Sequence, residues 1–343
     1  MQPFHIYAGT FSPPTYGHFH IVKKISQLVP HLHITCGINP RKKNNLFTPQ
    51  ECVELWKTYP LPKNVSVSTL DEVPIAPENF KDIILVLGIR DQTDYEYTGK
   101  VVEENRRLFG IDKYLLVYSD CKFEKISSTR ARQLATDLEL FELGQIVSPL
   151  VVTALLEKTL GLRSLQLVVG KPASGKSTVM RIVANKCQQV YYLDTDQVVT
   201  PQLKKMTKSF FGSDDIVQTL VTREDELIAK IYQPWLELVA AELKKIPAQC
   251  DVFIEVATAL QPNKKVYRFL GGMILYFGCG EENNHQRIEG RGSKLHHQLV
   301  SRIPGLEESQ KIAQAEVLSL RDFDTSQPAN EAANEVIRTY DLI

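Results

Sequence analysis

Short apolar runs at residues 4–8 (FHIYA), 32–38, 65–70, 83–88 and 113–118 read as β-strands. Between them, at about 18–29, 49–59 and 93–108, apolar positions take the wider spacing of helices. The second helix is the best signalled: Thr48 can cap it, Pro49 suits its first position, and Glu51 completes a capping box. From 126 to about 160 the pattern is helical. A new strand then begins at 165 (LQLVVG), followed by strands at 190–194, 251–257 and 272–277 and helices near 175–187 and 215–245. The stretch 281–320 reads as charged and helical, and the tail from about 330 as a closing helix. Strands alternating with helices predict parallel sheets wrapped by helices. The junction Leu160-Gly161-Leu162-Arg163-Ser164 divides the chain into two α/β domains, 1–160 and 165–343, each a doubly wound parallel sheet.

Composition narrows the partners. A length of 343 residues suits two domains, and 43% apolar with 23% charged residues is ordinary globular usage. Forty Lys+Arg balance forty Asp+Glu. A neutral chain has no general pull toward nucleic acid or acidic membranes, so neither is expected as a partner and any anion site must be local. No apolar run approaches the roughly 18 residues of a membrane span. The start, Met-Gln-Pro-Phe-His-Ile-Tyr, lacks the basic region and long apolar run of a signal peptide. Six cysteines at 36, 52, 121, 187, 250 and 279 are widely spaced. Cys36, Cys52 and Cys279 lie in apolar stretches and read as core residues, a pattern that fits a reducing cytoplasm rather than a disulfide framework. A homo-oligomer stays open.

Two strings carry chemistry in the first half. Residues 9–18 read GTFSPPTYGH and link the first strand to the first helix. Gly9 lets the backbone approach a ligand, Thr10 supplies a hydroxyl, and Pro13 and Pro14 stiffen the turn. Gly17 and His18 fall where the helix N-terminus offers N–H groups and partial positive charge to phosphate. The plainer reading is a proline-rich turn with a capping histidine. Residues 126–132 read ISSTRAR, where Ser127, Ser128 and Thr129 can cap a helix and form a second anion site, with Arg130 and Arg132 adding charge.

Together these strings resemble the nucleotidyltransferase superfamily with its [HT]xGH and ISSTxxR motifs, and within it the bacterial-type phosphopantetheine adenylyltransferases. INPRKKNNLFTPQECVEL at 38–55 and GIRDQTDYEYTGKVVEENRRL at 88–108 extend the likeness over nearly the whole domain. The resemblance implies a Rossmann-like fold and transfer of AMP from ATP to 4′-phosphopantetheine. It assigns Thr10 and His18 to the α-phosphate, Lys42 to phosphates of both substrates, and Arg90 with 127–129 to the β- and γ-phosphates. Gly9, Phe11 and Gly17 join the ATP site. Three positions depart: Ser12 stands for an aspartate, Leu87 for an arginine and Thr98 for a glutamate.

The second half opens with GKPASGKS at 170–177, a full Walker A match between a strand and a helix. Its backbone (Gly170, Ala173, Ser174, Gly175) would wrap phosphate, Lys176 would reach the β/γ oxygens, and Ser177, followed by Thr178, would ligate Mg²⁺. Asp194 and Asp196 in YYLDTDQV fall at a strand's end, where a carboxylate can orient or deprotonate an acceptor hydroxyl; paired turn-starting aspartates are the plainer reading. Glu255 ends another apolar strand and could hold Mg²⁺ through water, with Asp194 a further candidate ligand of the metal. The mixed charges of 281–302 read first as a solvated helix face, although Arg287, Arg291 and Arg302 would suit a lid over transferring phosphate.

This half resembles dephospho-CoA kinase, a P-loop kinase. The likeness rests on GKPASGKSTV, the Asp-x-Asp at 194–196, ELIAKIYQPWLELVAAEL, EENNHQRIEGRG and SRIPGLEESQKIAQAEV. It implies Asp196 as base toward the ribose 3′-hydroxyl of dephospho-CoA, with Mg²⁺ as cofactor and ATP as co-substrate. Val169 replaces a frequent threonine, and Glu255-Val-Ala replaces Asp-x-Pro. The two resemblances converge on coenzyme A synthesis, the order of a bifunctional CoA synthase. An NAD-salvage pair, nicotinamide mononucleotide adenylyltransferase with ribosylnicotinamide kinase, is the rival enzyme, and a CoA- or nucleotide-binding regulator the rival of another class.

Overall fold

The computed structural model describes residues 4–39, 45–74, 82–198, 200–256, 265–289, 300 and 303–342. The first sheet uses β1 (Phe4–Gly9), β2 (Leu32–Cys36), β3 (Val65–Thr69), β4 (Ile83–Ile89) and β5 (Lys113–Tyr118), in the order β3-β2-β1-β4-β5 with every pair parallel. Its helices are α1 (Tyr16–Ser26), α2 (Pro49–Lys57) and α3 (Gln92–Phe109), followed by α4 (Ser128–Asp137), α5 (Leu140–Ile146) and α6 (Pro149–Leu160). All five expected strands and the capped α2 are present. Thr48 Oγ1 accepts the Glu51 N–H at 3.2 Å and Glu51 accepts the Thr48 N–H at 2.8 Å.

The second sheet contains β6 (Ser164–Val169), β7 (Val190–Asp194), β8 (Asp251–Glu255), β9 (Met273–Gly278) and β10 (Ser319–Asp324), ordered β10-β9-β6-β8-β7 and again parallel. With it go α7 (Lys176–Lys186), α8 (Thr195–Val198), α9 (Thr200–Phe211), α10 (Ile216–Leu243), α11 (Lys265–Leu270), α12 (Glu281–Glu289), α13 (Leu306–Ala315) and α14 (Ala329–Tyr340). One core packs Val168, Phe253, Leu275 and Phe277 of the sheet against Val179, Met180 and Val183 of α7 and Ala332, Ala333 and Val336 of α14. Cys36, Cys52 and Cys279 are buried as expected. The chain divides into two compact units: residues through Gln133 with Ile146–Val151, and Leu134–Gln145 with Val152 onward.

Three local expectations are corrected. The stretch expected to be helical through 320 ends in a strand, β10, at the edge of the second sheet. Its sequence, SLRDFD, buries only Phe323 below a tenth exposure, and charged outward positions are the ordinary dress of an edge strand. Asp196 does not end a strand: β7 stops at Asp194, and Asp196 sits in the short helix α8. The helix expected at 215–245 exists as α10 but is kinked at Arg223, whose φ/ψ of −146°/48° are not helical.

In both sheets the first strand of the unit lies between neighbours reached in opposite directions. The carboxyl ends of β1 and β4, and of β6 and β8, therefore open on the crevice where α/β proteins take ligands. Among the described residues no helix is long and apolar enough to cross a membrane.

Candidate active sites

The turn after β1 is built from the inside out. Phe11 takes a left-handed φ of 41° and drives its ring into the core, 5.1 Å from Tyr7, 5.2 Å from Trp56 and edge-on to His18 at 5.2 Å. A side chain at Gly9 would meet that ring at 2.7 Å, so Gly9 makes room for Phe11. Phe11 is 4% exposed, which leaves ligand contact to its backbone.

Thr15 caps α1, and His18 closes the cap. The Thr15 N–H donates to His18 Nδ1 at 3.1 Å, and the Thr15 hydroxyl lies 2.9 Å from the same nitrogen. A nitrogen that accepts from a backbone N–H carries no proton, so the neutral ring is the Nε2–H tautomer, a donor at the half-buried side of the turn. The capping role expected of this histidine thus falls to Nδ1, and the expected phosphate-facing role would fall to Nε2. Thr10 lies just beyond β1, half-buried.

The ISSTRAR segment closes onto this turn. Ser127 Oγ accepts the Arg130 N–H at 3.1 Å and so caps α4. Ser128 donates its hydroxyl to the Pro13 carbonyl at 2.8 Å, and Arg132 Nη1 donates to the Ser12 carbonyl at 2.6 Å. Thr129 Oγ1 accepts from Arg132 Nη2 at 3.3 Å. Gly17 lies against Ile126, where a Cβ would stand 3.4 Å away. Ser12, the family's aspartate position, is 2% exposed and accepts the Phe47 N–H at 3.0 Å, a bond that ties the turn to the approach of α2.

Arg90 follows β4 and grips Asp94 in α3 through Nε at 2.7 Å and Nη2 at 3.0 Å. Burial alone would raise the Asp94 carboxyl, but the hydrogen bonds and charge of Arg90 hold it below the ordinary aspartate range. The guanidinium has five N–H donors, so this grip fixes Arg90 without exhausting it. Thr98, at the family's glutamate position, donates to the Asp94 carbonyl at 2.8 Å. Lys42 lies outside the described residues.

In the second unit the loop after β6 has the conformation its glycines demand. Gly170 has φ 146° and Gly175 φ 93°, and Ala173 takes φ 62°. A Cβ at Gly170 would collide with the Phe277 carbonyl oxygen. Lys176 opens α7, is 5% exposed, donates to the Lys171 carbonyl at 3.3 Å and sits 3.5 Å from Glu255 Oε1. Ser177 donates to the same Oε1 at 3.1 Å. Glu255 Oε2 accepts the Tyr192 hydroxyl, and the Thr195 hydroxyl donates to the Glu255 carbonyl at 2.7 Å. Burial, followed by the Glu255 charge, pushes the Tyr192 phenol far above its ordinary range, so it acts as a donor. Thr178 follows in the first turn of α7.

Ser177 and Glu255 are brought together, as a magnesium-binding pair of hard oxygens requires. Asp194 has other partners: Arg181 Nη2 donates to it at 2.9 Å, and it accepts the Gln197 N–H at 3.3 Å. Asp196 is exposed in the first turn of α8. Arg287 reaches the loop region, donating to the Thr325 carbonyl at 2.9 Å, while the Thr325 hydroxyl contacts the Ser174 carbonyl. Arg291 and Arg302 lie outside the described residues.

Two participants escaped sequence reasoning. Tyr192 looked like an ordinary strand tyrosine. Asn284, 3% exposed, donates to the Pro172 carbonyl at 2.8 Å from within a stretch that read as solvated.

Residues 6–134 match the cytidylyltransferase-like family. With the starts of α1 and α4 meeting at the turn after β1, they form a nucleotidyltransferase-like domain. The phosphopantetheine adenylyltransferase of Rhodopirellula baltica is 35% identical over 133 residues, covering 38% of this chain and 73% of the relative. That of Phocaeicola vulgatus is 32% identical over 145 residues, covering 42% and 91%. The chain belongs, through this first unit, to the cytidylyltransferase-like family, among the phosphopantetheine adenylyltransferases. These relatives support nucleotidyltransferase activity with ATP as co-substrate. Among solved structures, a NadR protein in complex with NR aligns over 99% of this chain and 96% of its own, at 14% identity and a TM-score of 0.33, a likeness too low to build on.

Proposed function

We propose that the first unit transfers AMP from ATP to 4′-phosphopantetheine, and that the second phosphorylates the ribose 3′-hydroxyl of the resulting dephospho-CoA with another ATP. The lock of His18 Nδ1 by the Thr15 N–H is the observation that carries the first step. A phosphate oxygen of the acceptor attacks the α-phosphorus in line, the bond to pyrophosphate breaks, and pyrophosphate leaves with the electron pair. The attacking oxygen is already anionic, so the site needs positioning and charge stabilisation more than a base. The Nε2–H of His18 and the hydroxyl of Thr10 would donate to the α-phosphate as charge builds. Arg90 and the N–H groups at 127–129 would hold the outer phosphates.

The second step rests on the loop Gly170–Ser177 and the buried Lys176. Its backbone N–H groups and Lys176 suit the phosphates of ATP. Ser177 and Glu255 would hold Mg²⁺, which when bound neutralises phosphate charge. In this scheme Asp196 takes the hydroxyl proton of the acceptor, and Arg287 belongs to the lid. Incubating the protein with MgATP and 4′-phosphopantetheine, and resolving products by chromatography and mass, tests both steps. Dephospho-CoA followed by CoA is expected. Turnover of nicotinamide mononucleotide in place of the pantetheine compound would overturn the assignment.

A further inference from the structure

We infer that Tyr192 is a positioning residue for the nucleotide site of the second unit, acting through Glu255; the inference rests on the phosphate-binding reading of the Gly170–Ser177 loop. Glu255 stands where the resemblance implies the shorter aspartate. Its extra methylene adds a rotatable bond, and a longer carboxylate needs anchoring if one oxygen is to stay fixed on the loop. Tyr192 supplies the anchor from the neighbouring strand.

The register gives the reason. β7 and β8 pair in parallel with Tyr192 opposite Phe253 and Asp194 opposite Glu255. Side chains alternate along a strand, so Tyr192 and Glu255 share one face of the sheet. The Tyr192 ring packs against the core cluster that contains Phe253, Val179 and Phe277. Its hydroxyl takes Glu255 Oε2, and Oε1 is thereby turned to Ser177, at 3.1 Å, and Lys176, at 3.5 Å. The Thr195 hydroxyl holds the carbonyl of the same glutamate at 2.7 Å. One carboxylate is divided: one oxygen for the fold, the other for the phosphate loop. Outer partners of this kind orient the groups that meet a cation, and their loss typically costs about 10–100-fold in metal affinity or activity.

Tyr192→Phe removes the anchor and keeps the ring in the core. The test measures ADP binding to full-length wild type and variant by titration calorimetry, at a series of Mg²⁺ concentrations and in EDTA. The Mg²⁺ concentration that half-saturates the enhancement of ADP binding should rise about 10-fold in the variant, with ADP affinity in EDTA unchanged. Adenylyl transfer by the first unit and the unfolding temperature serve as controls for folding. An equal loss of ADP affinity with and without Mg²⁺ would reduce Tyr192 to a structural role, and an unchanged Mg²⁺ dependence would remove the inference. Failure of the wild type to bind ADP would instead overturn the phosphate-loop reading beneath it. The double variant Tyr192→Phe with Glu255→Asp adds a second arm. A shorter carboxylate with one rotatable bond fewer should recover much of the Mg²⁺ dependence if positioning is what was lost.

Discussion

The Thr15 backbone N–H donates to Nδ1 of His18 at 3.1 Å, across a single turn of helix. Because the donor is main chain, the tautomer does not depend on the identity of residue 15. Thr15→Ala is expected to lose a cap worth about 1 kcal/mol in stability and to retain most adenylyl transfer. His18→Ala removes the donor itself and should lower that kcat about 10²–10³-fold, leaving phosphoryl transfer by the second unit intact. Steady-state rates of both steps for the two variants decide the matter; equal losses from Thr15→Ala and His18→Ala would refute the division of labour.

Asp94 holds Arg90 in place by two hydrogen bonds. Asp94→Ala should release the guanidinium and reduce adenylyl-transfer kcat/KM for ATP about 10²-fold, the scale of a small misplacement of a binding group. The pair also has an acid signature. The folded Asp94 carboxyl lies below its ordinary value, so its contribution to stability is complete above that value and fades as pH falls through the folded one. Wild type should therefore lose stability more steeply than Asp94→Ala on acidification below about pH 4. Matched acid unfolding curves would expose a pair with no net effect.

Glu157 has the opposite sign. Burial, only partly offset by the Leu165 N–H it accepts at 2.8 Å, pushes its carboxyl from 4.5 up to about 7. The folded protein binds this proton more tightly than the unfolded chain does. Stability from this group is therefore whole below about pH 4.5 and declines until about pH 7. Glu157→Gln keeps an oxygen for Leu165 and should stabilise the protein at pH 8 by up to about 3 kcal/mol, with no gain at pH 4. Chemical denaturation at the two pH values measures it, and a pH-independent difference would contradict the assignment.

Lys176→Ala should abolish nucleotide binding by the second unit and spare adenylyl transfer. Gly170→Ala should reach the same loss by another route. Its Cβ meets the Phe277 carbonyl at a backbone conformation of φ 146°, so the loop must shift, at a cost of about 1–3 kcal/mol. Fluorescence-monitored unfolding separates them: Gly170→Ala lowers the midpoint, while Lys176→Ala acts mainly on ADP binding. A Gly170→Ala protein of native stability and affinity would show that the loop tolerates a side chain there.

Most of the architecture was legible because the strands are short runs dominated by apolar and β-branched residues, and the cap at Thr48 is local. β10 was not, since an edge strand such as SLRDFD hides its one buried face among charges. Candidates set in compact local motifs, such as His18 in GTFSPPTYGH and Lys176 in GKPASGKS, could be named from the sequence. Their partners were harder to see. Glu255 meets Ser177 across 78 positions and Tyr192 across 63, and nothing in a single sequence announces such pairs. Gly9 was read for a ligand, and its contact with the Phe11 ring was not foreseen, because a glycine's empty space does not say what fills it.

The turn after β1 is finished by residues far along the chain. Its carbonyls at Ser12 and Pro13 wait for Arg132 and Ser128, 120 and 115 positions downstream. A nascent chain halted anywhere before those residues has the His18 cap but not the clasp. The shape of this turn is therefore a long-range property, because its cap closes within four residues while its clasp waits for a loop of more than a hundred to close.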